Sequence, residues 1–176
     1  MIVFLIGPGG VGKTTSGELL AQRLKYNFVD LDREFCDRIE NISIHIKRYG
    51  YTSYCLKNSE LFFGLLPQCS ENTIFVLSSG FLVHEGMNQL TQKHHEALRN
   101  KGITVRLLPS ASLEESTAIV VGRQLRRGFG LQEDSEREKF QKRYLLYREM
   151  GDVRVYSAGN PKEIAELMEE ELKNLL

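Results

Sequence analysis

The sequence carries no excess of either charge: 23 lysines and arginines stand against 23 aspartates and glutamates. That balance argues against a general nucleic-acid or anionic-membrane binder, which would show a basic surplus. It leaves room for a local basic site. Cysteine is scarce too. Cys36, Cys55 and Cys69 form an odd set with neither a C-x-x-C pair nor zinc-ligand spacing, so free thiols in a reducing cytosol are expected. Long hydrophobic runs are missing. The apolar start, Met1 to Ile6, lacks a basic leader and breaks at Gly7-Pro8-Gly9-Gly10; it is too short to span a bilayer and unlike a signal peptide. A soluble cytoplasmic protein without a nucleic-acid or membrane partner is expected. There is no tryptophan, and no internal repeat, low-complexity stretch or linker divides the chain. With 41% hydrophobic and 26% charged residues over 176 positions, a single globular domain, 1–176, is expected.

Five short apolar runs, rich in β-branched and aromatic residues, read as strands: Ile2–Ile6, Phe28–Leu31, Ile74–Leu77, Thr104–Leu108 and Val153–Tyr156. Continuous apolar runs suit strands buried on both faces of a parallel sheet. Helical spacing fills the intervals at Lys13–Lys25, Met87–Lys101, Leu113–Leu125, Glu138–Met150 and Pro161–Leu176. The last begins with proline and turns Ile164, Leu167, Met168 and Leu172 inward. This alternation predicts a doubly wound α/β domain. Two stretches interrupt it. Asp32–Leu66 is mostly helical in pattern, with a break at Gly50-Tyr51, and is longer than one crossover needs. Arg123–Ser135 is polar and basic and reads as a lid, against the alternative of a plain exposed turn.

Gly7-Pro8-Gly9-Gly10-Val11-Gly12-Lys13-Thr14 fits G-x-x-x-x-G-K-[ST], between a strand and a helix. In such a loop successive backbone N–H groups wrap a phosphate chain, and the helix that follows adds the positive end of its dipole. Lys13 then reaches the β- and γ-phosphates and the Thr14 hydroxyl ligates Mg²⁺. The motif is common to several nucleotide-using classes. The chain is short for a motor, and neither the guanine-reading N-K-x-D nor a D-x-x-G switch is present. Elimination favours a small-molecule or nucleotide kinase.

Beyond this loop the chain resembles the shikimate kinases. The F-x-D-x-D of that family is matched by Phe28-Val29-Asp30-Leu31-Asp32, and its R-x-x-x-Y-x-x-x-A-D by Arg143-Tyr144-Leu145-Leu146-Tyr147-Arg148-Glu149-Met150-Gly151-Asp152, with Gly151 for alanine. The resemblance implies a three-layer P-loop fold with a five-stranded parallel sheet in the order 2-3-1-4-5. It also implies an acceptor-binding segment at about 32–66 and a lid at about 110–135. It implies ATP and Mg²⁺ as the nucleotide and metal and a small-molecule acceptor as the partner; a monomer is expected. Lys13, Asp32 and Arg127 become the catalytic residues, with Arg126 the other candidate for the lid arginine. Gly9, Gly10, Val11, Gly12, Lys13, Thr14, Thr15, Arg123 and Pro161 fall at the nucleotide, Thr14 and Asp30 at the metal, and Asp32, Gly80 and Arg143 at the acceptor. Read without the family, Asp32 is a helix N-cap and Arg143 a solvated arginine.

The departures from that pattern lie on the acceptor side. Where the family has G-E-x-x-F-R, this chain has Gly50-Tyr51-Thr52-Ser53-Tyr54-Cys55, so Cys55 takes the place of a substrate arginine. Arg48 or Lys57 is the candidate to supply the missing cation. The family's G-G-G becomes Ser78-Ser79-Gly80-Phe81, with Ser78 near the metal shell and Phe81 expected to narrow the pocket. His94 and His95 are adjacent on a helix and read as surface histidines; Phe62, Phe63, Leu65 and Leu66 read as core. Phosphorylation of shikimate is therefore the expected activity. The alternatives are a kinase for another cyclic polyol or sugar-like acceptor, or a weakly catalytic nucleotide-binding regulator.

Overall fold

Ile2–Ile6 (β1) is apolar at every position because it lies in the middle of a sheet covered on both faces. In the computed structural model, which describes residues 1–69, 72–126 and 132–175, it is joined by Asn27–Asp30 (β2), Thr73–Val76 (β3), Gly102–Leu108 (β4) and Val153–Tyr156 (β5). The order is β2-β3-β1-β4-β5 and every pairing is parallel. On one face Val3, Leu5, Val105, Leu107 and Val155 pack against Leu20, Ala21, Ile164 and Met168. On the other, Ile2, Phe4, Ile6, Phe75 and Leu77 meet Phe62, Leu98 and Tyr147. The fold and strand order match the expectation. No helix among the described residues is long and apolar enough to cross a membrane.

The helices are Lys13–Leu24 (α1), Leu31–Arg38 (α2), Ile42–Tyr49 (α3), Tyr51–Leu65 (α4), Asn88–Lys101 (α5), Leu113–Arg126 (α6), Glu133–Tyr147 (α7) and Pro161–Leu175 (α8). The second strand ends one residue earlier than its apolar run. Asp30 caps α2, accepting the backbone N–H of Asp32 and Arg33, and so pulls Leu31 into the helix. The cap is thus Asp30, and the Asp32 carboxylate is free of that duty. The long insertion is three helices, divided by the Asn41 cap of α3 and by Gly50 at φ 88°. α6 buries Thr117, Val120 and Val121, so the segment outside helix between α6 and α7 is shorter than 110–135; residues 127–131 lie outside the described part. On α8, Ile164, Met168 and Leu172 face the core, while Leu167 is 38% exposed because the buried stripe runs along Ala165 instead.

The charged residue within the fourth apolar run has an unusual setting. Arg106 is fully buried in β4, and none of its three guanidinium nitrogens has a hydrogen-bond partner. Its guanidinium carbon lies 4.3 Å from the centroid of the Tyr156 ring, a cation–π contact. Its Cβ explains Gly151: that residue has φ 95°, and a Cβ there would stand 2.8 Å from the Cβ of Arg106. An unpaired buried charge is expensive, and apolar replacement of even a buried ion pair is often neutral or stabilising by about 1–4 kcal/mol. Arg106→Met is therefore expected to raise the melting temperature by roughly 2–4 °C for each kcal/mol gained. A fall on thermal denaturation would contradict this account of β4.

Candidate active site

The loop from Gly7 to Gly12 leaves the C-terminal end of β1, which pairs with β3 on one side and β4 on the other, and leads into α1. Gly7, Gly10 and Gly12 all take positive φ. Val11 is buried and anchors the loop, while Thr15 is exposed at the start of α1. The Lys13 ammonium donates to the carbonyls of Gly7 at 2.7 Å and Pro8 at 2.9 Å. Thr14 Oγ1 donates to Asp30 Oδ2 at 2.6 Å, which brings a hydroxyl and a carboxylate together beside the loop. Arg123 reaches from α6 to the carbonyls of Gly10 and Ala158, both at 3.3 Å. It ties the loop to the turn that Pro161 closes at the head of α8. Gln124 is a neighbour that the sequence did not mark: a Cβ on Gly9 would lie 3.5 Å from its Nε2.

Across from the loop stands Asp32. Ser78 Oγ, at the end of β3, donates to Asp32 Oδ1 in a short hydrogen bond. Asn58 Nδ2 donates in turn to Ser78 Oγ at 3.0 Å and to Tyr54 Oη at 3.4 Å. Asp32 faces the open cleft, yet the protein around its carboxylate raises its pKa by desolvation, and the charge of Asp30 adds to this. The Ser78 hydrogen bond and the Lys13 charge act the other way. The result is a carboxylate held at one oxygen, with raised proton affinity, beside the phosphate loop.

Arg143 projects from α7 toward Ser79, the neighbour of Ser78. Its Nη1 donates to Ser79 Oγ at 2.8 Å and its Nη2 to Tyr51 Oη at 3.4 Å. Gly80 lies directly beneath, with no room for a side chain: a Cβ would meet Tyr51 Oη at 2.7 Å and Arg143 Nη2 at 2.9 Å. Arg143, Tyr51 and His84 line a cleft of about 890 Å³ that continues over Val83 and Lys142, a volume in the range of small-molecule sites. Asp32 and Arg143 are thus linked through the adjacent Ser78 and Ser79, with Gly80 beneath Arg143, while Lys13, Thr14 and Arg123 belong to the loop side.

A family model for shikimate kinase matches residues 9–173. The chain belongs to the shikimate kinase family. Shikimate kinase of Aromatoleum aromaticum is 30% identical over 181 residues, covering 99% of this chain and 95% of its own length. Shikimate kinase of Bordetella pertussis is 31% identical over 114 residues, or 64% of this chain, and the chain spans about half the length of that relative, 49% of which is matched. Among solved structures, shikimate kinase from Acinetobacter baumannii in complex with shikimate superposes with a TM-score of 0.76 at 22% identity, over 99% of this chain and 94% of the other.

Against the family pattern, several expectations on the acceptor side change. Phe81 does not narrow the cleft; it is fully buried and stacks on His94, ring centroids 3.8 Å apart. His94 is not a surface residue. It is buried, with Nδ1 facing the Phe81 carbonyl and Nε2 facing Ser59 Oγ, both at 2.8 Å, and burial lowers its pKa to about 4. His95 is half-buried, with Nε2 3.3 Å from the Leu82 carbonyl. Phe62, Leu65 and Leu66 are core as expected. Arg48 and Lys57 are exposed and paired with Glu40 and Glu60, so neither replaces the arginine missing at Cys55. Ser78, at the small hydroxyl position, donates to Asp32, and the Ser79 hydroxyl accepts from Arg143. Arg127 lies outside the described residues, and Arg126 donates to its own helix at the Gly122 carbonyl.

Proposed function

We propose that this chain is an ATP-dependent shikimate kinase, transferring the γ-phosphoryl group to a ring hydroxyl of shikimate. The observation that carries the reading is the Asp32 carboxylate, fixed by Ser78 between the phosphate loop and Arg143. Phosphoryl transfer needs little covalent help. It needs the attacking oxygen aligned and the developing charge met by donors. Asp32 accepts a hydrogen bond from the acceptor hydroxyl and takes its proton as the oxygen bonds to phosphorus and the bond to ADP breaks. Lys13 meets the charge on the phosphates, and the backbone from Gly9 to Gly12 with Thr14 and Thr15 cradles them. Arg123 and Pro161 flank the base, and Arg127 is assigned to the phosphates on its sequence position. Arg143 holds the carboxylate of shikimate above Gly80.

The residues present also suit a magnesium ion. Thr14 Oγ1 and Asp30 Oδ2, 2.6 Å apart, are hard oxygen donors of the kind this cation takes alongside substrate phosphates. When bound it neutralises phosphate charge. The relatives named as shikimate kinases, and the Acinetobacter protein that binds shikimate, support this choice of acceptor.

One observation favours a second reading. Cys55, where the family pattern has an arginine, is fully buried and leaves Arg143 without a second arginine, which suits another cyclic hydroxy compound. ADP release with MgATP, measured against shikimate and a panel of cyclic polyols and sugar acids, separates the two. Turnover with shikimate is the expected result. Turnover only with another acceptor would overturn the substrate, and tight ATP binding without any turnover would overturn the enzyme.

A further inference from the structure

The guanidinium of Arg143 is held at both terminal nitrogens, by Ser79 Oγ at 2.8 Å and by Tyr51 Oη at 3.4 Å. Tyr51 has a further partner behind it. His84 is buried, and its Nδ1 lies 3.2 Å from Tyr51 Oη and 3.2 Å from Cys55 Sγ. Its other nitrogen, Nε2, is buried with no hydrogen-bond partner. A neutral imidazole carries one proton. With that proton on Nε2, the Nδ1 lone pair meets both the phenol O–H and the thiol S–H; with it on Nδ1, one of those contacts is lost and Nε2 is still unpaired. Burial favours the uncharged form throughout. It lowers His84 to about 4, and it raises Cys55 and pushes Tyr51 up to about 12.

The consequence runs forward to Arg143. When Tyr51 donates to His84, its oxygen turns its lone pairs toward Nη2, and Ser79 occupies Nη1. Two of the five guanidinium N–H groups are then committed and three remain for a ligand. Lys139 and Lys142 line the same cleft but are paired with Glu136 and Glu138. Among the described residues that line this cleft, Arg143 is the cation whose plane is set by neutral groups rather than by a carboxylate.

We propose that Tyr51 and His84 are positioning residues that aim Arg143, and that the neutral phenol–imidazole pair selects an acceptor bearing a single carboxylate. The proposal rests on the shikimate reading and names the residues that enforce it. Aim matters because a guanidinium binds a carboxylate through paired, coplanar hydrogen bonds, which a rotated plane loses.

Two measurements on the intact chain test it. The first uses ¹⁵N NMR of the imidazoles and needs no acceptor. A neutral His84 protonated at Nε2, whose Nδ1 signal moves in Tyr51→Phe, is expected; protonation at Nδ1, or a signal indifferent to Tyr51→Phe, would overturn the network. The second is kinetic. Tyr51→Phe and His84→Leu should each raise the KM for shikimate about tenfold with kcat within about threefold, as expected for lost ground-state binding. His84→Asn, whose carbonyl can accept from Tyr51, should restore KM. The carboxamide of shikimate should show no such difference between variants. Equal losses with the carboxamide, a fall confined to kcat, or failure of His84→Asn to rescue would overturn the proposal. A wild type inert toward shikimate contradicts the substrate reading and the selection together. In that case the imidazole signals still decide whether the network exists.

Discussion

Asp32→Asn is expected to lower kcat by about 10²–10⁴-fold, the usual contribution of a positioned base, while leaving the protein at least as stable as the wild type. The two halves of this prediction share one cause. Burial of the carboxylate desolvates Asp32 and raises its pKa above the ordinary aspartate range, so the native state binds this proton more tightly than the unfolded chain does. Stability from such a group is fully present below the unfolded pKa and is lost as pH rises through the folded one. At neutral pH the ionised carboxylate is a net cost to the fold, which asparagine removes while Oδ1 still accepts from Ser78. The same shift places the acid limb of the pH–rate profile above the range of an ordinary aspartate. Steady-state rates from pH 4 to 8 and a thermal melt check both halves. Unimpaired turnover, or a variant that is inactive because it is unfolded, would remove Asp32 from the role.

Lys13→Met is expected to reduce kcat by about 10²–10³-fold, the size typical for removing one donor aimed at developing charge. Methionine keeps the buried stem and deletes only the ammonium. Here, unlike at Asp32, stability should fall as well. The carbonyls of Gly7 and Pro8 lose the donor now at 2.7 and 2.9 Å, and buried acceptors left unpaired cost about 1–3 kcal/mol each. Opposite signs of the stability change in Lys13→Met and Asp32→Asn are thus a joint signature of this site. Measuring kcat and the melting temperature of both variants under one buffer condition reads it directly.

Much of the nucleotide side was legible in the sequence because its information is local. The loop, Lys13 and Thr14 follow each other along eight residues, and the apolar run before them had to be a central strand. Asp30 and Asp32 were visible as a pair, but their division of labour was not. It depends on which carboxylate caps α2, and that follows from the geometry of the strand end. The acceptor side was less legible because its contacts are long-range. Tyr51 and His84 are 33 positions apart in sequence and meet only when α4 packs beside the turn after β3. Phe81 and His94 misled for the same reason: an aromatic near a glycine and a histidine pair in a polar helix look exposed until Phe81 folds inward and the imidazole stacks on it. Arg106 did leave a signal, a lone charge within a strand that is apolar apart from Thr104.

The most direct test of the central claim is ³¹P NMR of the wild-type protein incubated with MgATP and shikimate. The predicted result is a new phosphomonoester signal that grows in step with ADP, requires shikimate, and is absent with Asp32→Asn. ATP left intact, or hydrolysed to inorganic phosphate at the same rate with and without shikimate, would contradict it.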